Sequence, residues 1–224
     1  MNNRKIAVYT ATRNLYPVMT PSIKSLLAHS TVDEVWLLIE DYKFPEPLPD
    51  KVHVMNVSGQ EWFRRTGPNY HCGWSYMVLM KVALTKYFPN LDRLVTLDVD
   101  TIIVRDIDAL WEMDLGDNYF AMAHDTGREG EYYNGGVVVQ NLKKLREDGM
   151  DDLLIGSLNV HQYEFCEQEA ISKLCAGRVL ELKPEYNDSD WTAHTAEPRI
   201  IHYAAERQWF GEPLVQYWHN RGWG

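Results

Sequence analysis

The chain has 224 residues and a formal net charge of -10, and 45% of its residues are hydrophobic, enough to bury a real core within one α/β domain spanning 1–224. So acidic a chain excludes the nucleic-acid binders, which need clustered Lys and Arg, and it can handle a phosphorylated ligand only where a bound cation offsets the repulsion. No apolar run approaches the roughly 18 residues of a membrane span, and Ile6 to Tyr9 is too short for the core of a signal peptide.

Lys5 to Thr10 is a short apolar run rich in β formers, hence a strand. Thr20-Pro21 reads as a helix start, with Thr as cap and Pro at the first helical position, and the helix runs to about Ala28. Glu34 to Ile39 is a second buried strand, so strand, helix and strand form a βαβ unit and a parallel sheet. Phe44-Pro-Glu-Pro-Leu-Pro49 must be a loop, and Val52 to Val57 reads as a strand.

Ser75 to Lys86 reads as one helix, with Tyr76, Met80, Ala83, Leu84 and Tyr87 on one face. Arg93 to Leu97 is a strand running into Asp98-Val99-Asp100. Ile107 to Trp111 is a helical turn, and Phe120 to Ala123 a strand. In Tyr132 to Val139 a loop containing Asn134-Gly135-Gly136 enters a buried strand. Leu142 to Glu147 and Glu167 to Cys175 are helical, the second closed by Gly177. Val179 to Leu182 is a strand, Ile200-Ile201-His202 ends another, and an aromatic, polar tail follows. Cys72, Cys166 and Cys175 are odd in number and lack metal-like spacing. They read as buried free thiols, which fits a reducing, cytoplasmic setting, with peripheral membrane attachment through a partner left open.

Two carboxylates at the carboxyl end of a parallel strand stand where open sheets bind ligands. Asp98 and Asp100 share a face if the segment is extended, and a divalent cation would relieve their repulsion. The same pair also fits a solvated acidic turn. His202 alone is most simply a hydrogen-bonded core residue; as a third ligand it would suit Mn²⁺ or Mg²⁺, with the nitrogen favouring Mn²⁺. The glycine pair fits either a turn or the close approach of a ligand. Glu167-Gln168-Glu169 fits a helix start.

In this order the residues resemble glycosyltransferase family 8, the retaining GT-A enzymes that include the glycogenin-like and bacterial lipopolysaccharide-type sugar transferases. Leu97-Asp-Val-Asp-Thr-Ile-Ile-Val104 resembles the family's metal-binding strand end. Tyr132-Tyr-Asn-Gly-Gly-Val137 with Asn141-Leu142 resembles its Asn-x-Gly-Val segment. Glu167-Gln168 stands where Asp-Gln is usual, and Ile201-His202-Tyr203 resembles the late histidine. The late motif departs from His-x-x-Gly-x-x-Lys-Pro-Trp: the phosphate-binding lysine is absent, leaving Arg207 or Gln208 as candidate replacements. Thr10-Ala-Thr-Arg-Asn-Leu-Tyr16 departs from the usual Asp-x-x-Tyr pattern.

The resemblance implies a GT-A fold, a Rossmann-like and mostly parallel central sheet flanked by helices, with additional mixed strands. It implies retaining transfer of a hexose, glucose or galactose, from a UDP-sugar to a carbohydrate or glycoconjugate acceptor. Asp98, Asp100 and His202 would hold Mn²⁺ or Mg²⁺. Gln168, Asp125 and Lys81 would serve the reacting sugar, and Thr10, Thr12, Tyr16, Lys81, Val99, Asn134, Gly135, Gly136 and Arg207 the donor. Two other readings stay open: a nucleotide-sugar binder that has lost catalysis, and a metal-dependent sugar-nucleotide hydrolase or nucleotidyltransferase. The loops 41–50 and 127–131 and the tail after Trp209 are where acceptor choice is expected to lie.

Overall fold

The structure, a computed structural model, describes residues 4–204 and 208–223. The first half alternates strands and helices: β1 (Ile6–Ala11), α1 (Tyr16–Ala28), β2 (Glu34–Ile39), β3 (Val52–Asn56), a 3-10 helix (Tyr76–Val82), α2 (Leu84–Tyr87) and β4 (Arg93–Leu97). There follow β5 (Thr101–Ile103), α3 (Ala109–Glu112), β6 (Phe120–His124), β7 (Tyr133–Asn141), α4 (Leu142–Asp148), α5 (Met150–Val160), α6 (Cys166–Leu174), β8 (Val179–Glu181), β9 (Ile200–His202) and α7 (Pro213–Asn220).

Seven strands form the central sheet in the order β3-β2-β1-β4-β7-β6-β8. β3, β2, β1 and β4 run parallel, β7 runs antiparallel to both its neighbours, and β8 returns parallel to β6. The expectation of a mostly parallel, helix-flanked sheet with mixed strands holds.

The strands are apolar on both faces because both are covered. In β1, Ile6 and Val8 join one core while Ala7, Tyr9 and Ala11 join the other. The 3-10 helix (Met77, Leu79, Met80, Val82) and α4 to α6 cover the first face. Met19, Ile23 and Leu26 of α1, with Leu110 and Trp111 of α3, cover the second.

A small second sheet positions the site. β5 leaves the end of β4 and pairs antiparallel with β9, setting Thr101 opposite His202 and Ile103 opposite Ile200. Two buried serines of α1 hold it: Ser25 Oγ accepts from the Ile103 amide at 2.9 Å, and Ser22 Oγ lies 2.9 Å from Thr101 Oγ1.

Several elements differ from expectation. α1 begins a turn early, at Tyr16, because Pro17 rather than Pro21 takes the favoured first-turn place; Pro21 lies inside the helix. Ser75 to Lys86 is not one helix but a 3-10 segment, capped by the Ser75 hydroxyl on the Met77 amide, followed by the single turn α2. Asn134-Gly135-Gly136 is not a loop but part of β7, whose pairing with β6 shifts register between Met122 and Ala123. The tail carries a helix, α7, which docks Trp218 and Val215 beside α1, with Lys24 Nζ donating to the His219 carbonyl at 3.1 Å. Cys72 and Cys166 are joined as a disulfide rather than free, because folding lays the segment before the 3-10 helix on the start of α6; Cys175 alone is a free, buried thiol. The cysteines therefore no longer argue for a reducing compartment. None of the described helices is long and apolar enough to cross a membrane.

Candidate active site

The Asp98-Val99-Asp100 turn stands at the carboxyl end of β4, and β9 brings His202 back beside it. One oxygen of each carboxylate and one ring nitrogen lie within 4.8 Å of one another. His202 Nε2 is 3.3 Å from Asp100 Oδ1 and 4.0 Å from Asp98 Oδ2. The other ring nitrogen, Nδ1, lies 2.9 Å from Asn187 Oδ1. A carbonyl-type oxygen accepts only, so Nδ1 donates to Asn187 and Nε2 faces the carboxylates, where either a proton or a cation can sit. Asn187 is itself fixed: its Nδ2 donates to Asn134 Oδ1 at 2.9 Å, the same oxygen that accepts from the Gly136 amide. This chain of bonds from β7 to the imidazole is the outer support that metal-binding histidines use. Two hard carboxylates with one oriented imidazole fit a divalent cation such as Mn²⁺ or Mg²⁺.

Gly136 explains how closely the imidazole packs. A Cβ there would meet the ring at 2.1 Å, and the three nearest atoms all belong to His202. The glycine thus makes room for the His202 ring and does not serve a turn. Gly135 has a different duty: its carbonyl accepts from Lys81 Nζ at 3.0 Å and its amide donates to Gln168 Oε1 at 3.0 Å.

Lys81 lies buried behind the carboxylates, with Nζ 2.6 Å from Asp98 Oδ1 and 3.2 Å from Glu167 Oε1. Burial works against its charge, but the Asp98 and Glu167 carboxylates hold the ammonium above the ordinary lysine value. Burial raises the Glu167 carboxyl above its usual range, aided by Asp98 and opposed by Lys81. Burial would lower His202, yet Asp100 and then Asp98 raise it; a cation among these groups would take the place of that proton.

These groups open on a cavity of about 390 Å³, the size of a small-ligand site. Of the expected site residues, Asp98, Val99, Asp100, His202, Thr10, Asp125, Asn134 and Gln168 line it. Lys81, Gly135 and Gly136 stand immediately behind that lining, through the contacts given above. Thr12 and Tyr16 are engaged elsewhere: Thr12 Oγ1 donates to Asn14 Oδ1 at 2.6 Å, and the buried Tyr16 hydroxyl donates to Asp41 at 3.1 Å while accepting from the Glu40 amide. Arg207 lies outside the described residues, and Gln208 does not line the cavity. Reading the sequence missed Asn187, whose only signal was an Asn-Asp-Ser turn before a short strand. It also missed the aromatic wall of Trp74, Phe165 and Trp191, which come from three loops with no shared spacing.

The architecture is that of the GT-A glycosyltransferases. The chain belongs to glycosyl transferase family 8, whose model matches residues 22–209. Among curated proteins, it is 27% identical over 232 residues to the glycosyltransferase GlyE of Streptococcus pneumoniae serotype 4, covering 92% of this chain and 57% of that one. It is 27% identical over 123 residues to a putative glycosyltransferase of Haemophilus influenzae, 48% of this chain and 37% of the other. The chain thus spans about a third to somewhat over half the length of these relatives. Among solved structures it resembles the galactosyltransferase LgtC in complex with donor and acceptor sugar analogs, with a TM-score of 0.72 at 19% identity over 96% of this chain and 95% of that one. It also resembles GlyE, with a TM-score of 0.73 at 21% identity over 99% of this chain and 62% of that one.

Proposed function

We propose that this chain transfers a hexose, glucose or galactose, from a UDP-sugar to a carbohydrate or glycoconjugate acceptor, with retention at the anomeric carbon. The observation that carries the reading is the convergence of Asp98, Asp100 and an oriented His202 on the cavity at the end of β4, in a chain of family 8. Asp98, Asp100 and His202 would hold Mn²⁺ or Mg²⁺, which when bound supplies Lewis-acid stabilisation of the charge growing on a leaving diphosphate.

The chain's own residues do the rest. Lys81 holds Asp98 in place and adds a buried positive charge behind the carboxylates. Asp125, only 2% exposed, and Gln168 present carboxylate and amide groups to the hydroxyls of a bound sugar. Gln168 is fixed by the Gly135 amide, so its orientation is set before the sugar arrives. In the reaction proposed, the bond from the anomeric carbon to the diphosphate oxygen breaks and a bond to the acceptor oxygen forms on the same face. The acceptor proton passes to the departing phosphate, leaving UDP and the glycoside. No protein general base is required.

The test is calorimetric titration of UDP with Mn²⁺ and again with EDTA, on the wild type and Asp100→Ala. Metal-dependent binding in the wild type alone is expected; binding that ignores both the metal and the substitution would sink the assignment. Hydrolysis of UDP-glucose or UDP-galactose then identifies the sugar and separates an enzyme from an inert binder.

A further inference from the structure

The loop between β6 and β7 carries a cation that the chemistry above does not use. Arg128 follows Asp125 and is the only Lys or Arg among the described residues lining the cavity. Its guanidinium lies 3.5 Å from the centre of the Phe165 ring and 4.9 Å from that of Tyr132. Its Nε is shielded from solvent and has no hydrogen-bond partner, and no carboxylate among the described residues pairs with it. Asp125 Oδ1 accepts from the Gly127 amide at 3.0 Å, and Glu169 pairs with Lys173 at 2.5 Å.

Around Arg128 stand the aromatic rings of the cavity wall. Trp74 packs on Phe165 at 5.6 Å, and the Trp191 ring covers Gly127 so closely that a side chain there would meet it at 3.3 Å. Trp74 is 49% and Trp191 41% exposed, and both line the cavity. Exposed rings of this kind stack on sugar faces. A guanidinium held against aromatic rings is pre-organised, and its planar fork matches a carboxylate or phosphate.

We infer that Arg128 is a specificity residue that selects an acceptor bearing a negative charge, a carboxylate or phosphate on the sugar that covers Trp74 and Trp191. The inference rests on the transferase reading and names the acceptor class. On the aromatic side of the cavity, an anionic acceptor would meet in Arg128 the one Lys or Arg that the described lining offers. A charge-assisted pair of this kind discriminates by about tenfold or more.

The test compares three probes with the wild type, Arg128→Gln and Arg128→Lys: methyl β-glucoside, methyl β-glucuronide and glucose 6-phosphate. Binding is read by saturation-transfer NMR with Mg²⁺ and UDP present, and UDP affinity is measured by calorimetry on the same samples. Expected is at least about tenfold preference of the wild type for one or both anionic probes, falling to about onefold in Arg128→Gln and partly kept in Arg128→Lys. A response to the glucuronide alone or the phosphate alone identifies which anion is taken. Equal binding of neutral and charged probes, no binding of either anion, or a preference that survives Arg128→Gln overturns the inference, as does an Arg128→Gln effect confined to UDP affinity. Loss of UDP binding in the wild type itself would instead overturn the transferase reading.

Discussion

Gly136→Ala isolates the seat of His202. Gly136 is not among the glycines with positive φ, so alanine brings no backbone strain, and the conflict is with the imidazole. Its Cβ would stand 2.1 Å from the ring, where ordinary contacts begin at 3.4 Å, so the ring must retreat by about 1.3 Å. The ring is 4% exposed and tied to Asn187. It can shift within its packing and strain its surroundings, at about 1–3 kcal/mol, or swing away and give up its bond to Asn187, at about 1 kcal/mol. Either way Nε2 leaves its place near Asp100. We predict about 10- to 100-fold weaker Mn²⁺ binding, the range seen when support of a metal ligand is lost, measured by calorimetry or by the spin-resonance signal of free Mn²⁺. Gly135→Ala is the control. Its Cβ meets Glu167 Oε1 at 3.3 Å and Gln168 at 3.4 Å, side-chain atoms that can yield, so its Mn²⁺ affinity should fall less. A folded Gly136→Ala protein that binds Mn²⁺ within about twofold of wild type would refute the reasoning.

Three further outcomes are expected. Lys81→Met leaves Asp98 and the buried Glu167 without their shared counter-charge, and should cost about 3 kcal/mol in urea unfolding; Glu167→Gln, which keeps Lys81 with Asp98, should cost less, and a Lys81→Met chain as stable as wild type would count against the pairing. Burial works to raise the Asp151 carboxyl, but Lys86 at 2.8 Å and Thr85 at 2.5 Å bring it below the usual carboxylate value. A lowered folded pKa contributes stability above the unfolded value of about 4, lost as pH falls through the folded one. Between about pH 6 and 3 the wild type should therefore lose more unfolding free energy than Asp151→Asn, and equal losses would dismiss that contribution. Burial pushes the Cys175 thiol up to about 12, so thiol reagents should find no group in the native protein at mildly alkaline pH and one after unfolding without reductant; a count of three would remove the Cys72–Cys166 bond.

The fold was legible wherever periodicity and flanking chemistry agreed. Glu34 to Ile39 and Arg93 to Leu97 fall on β2 and β4 residue for residue, because a strand that alternates between two cores is mostly apolar along its length. Sequence punctuation misled at Pro21 and at Gly135-Gly136. Proline tolerates the early helix interior, and those glycines answer to a histidine and a lysine that are distant in sequence. α7 was hidden in an aromatic tail because its partner, α1, lies at the other end of the chain. The carboxylates showed through spacing. Asn187 and the Trp74, Phe165 and Trp191 wall did not, since side chains gathered from separate loops leave no local pattern.

The pairing of β5 with β9 also ties the site to the completion of the chain. Thr101 follows the two carboxylates directly, but its partner, His202, comes about half the sequence later. A chain emerging from the ribosome, or one cut before Ile200, carries Asp98 and Asp100 without the imidazole that completes the set. Divalent-ion affinity would then serve as a readout of finished folding, late to appear in synthesis and early to vanish under proteolysis.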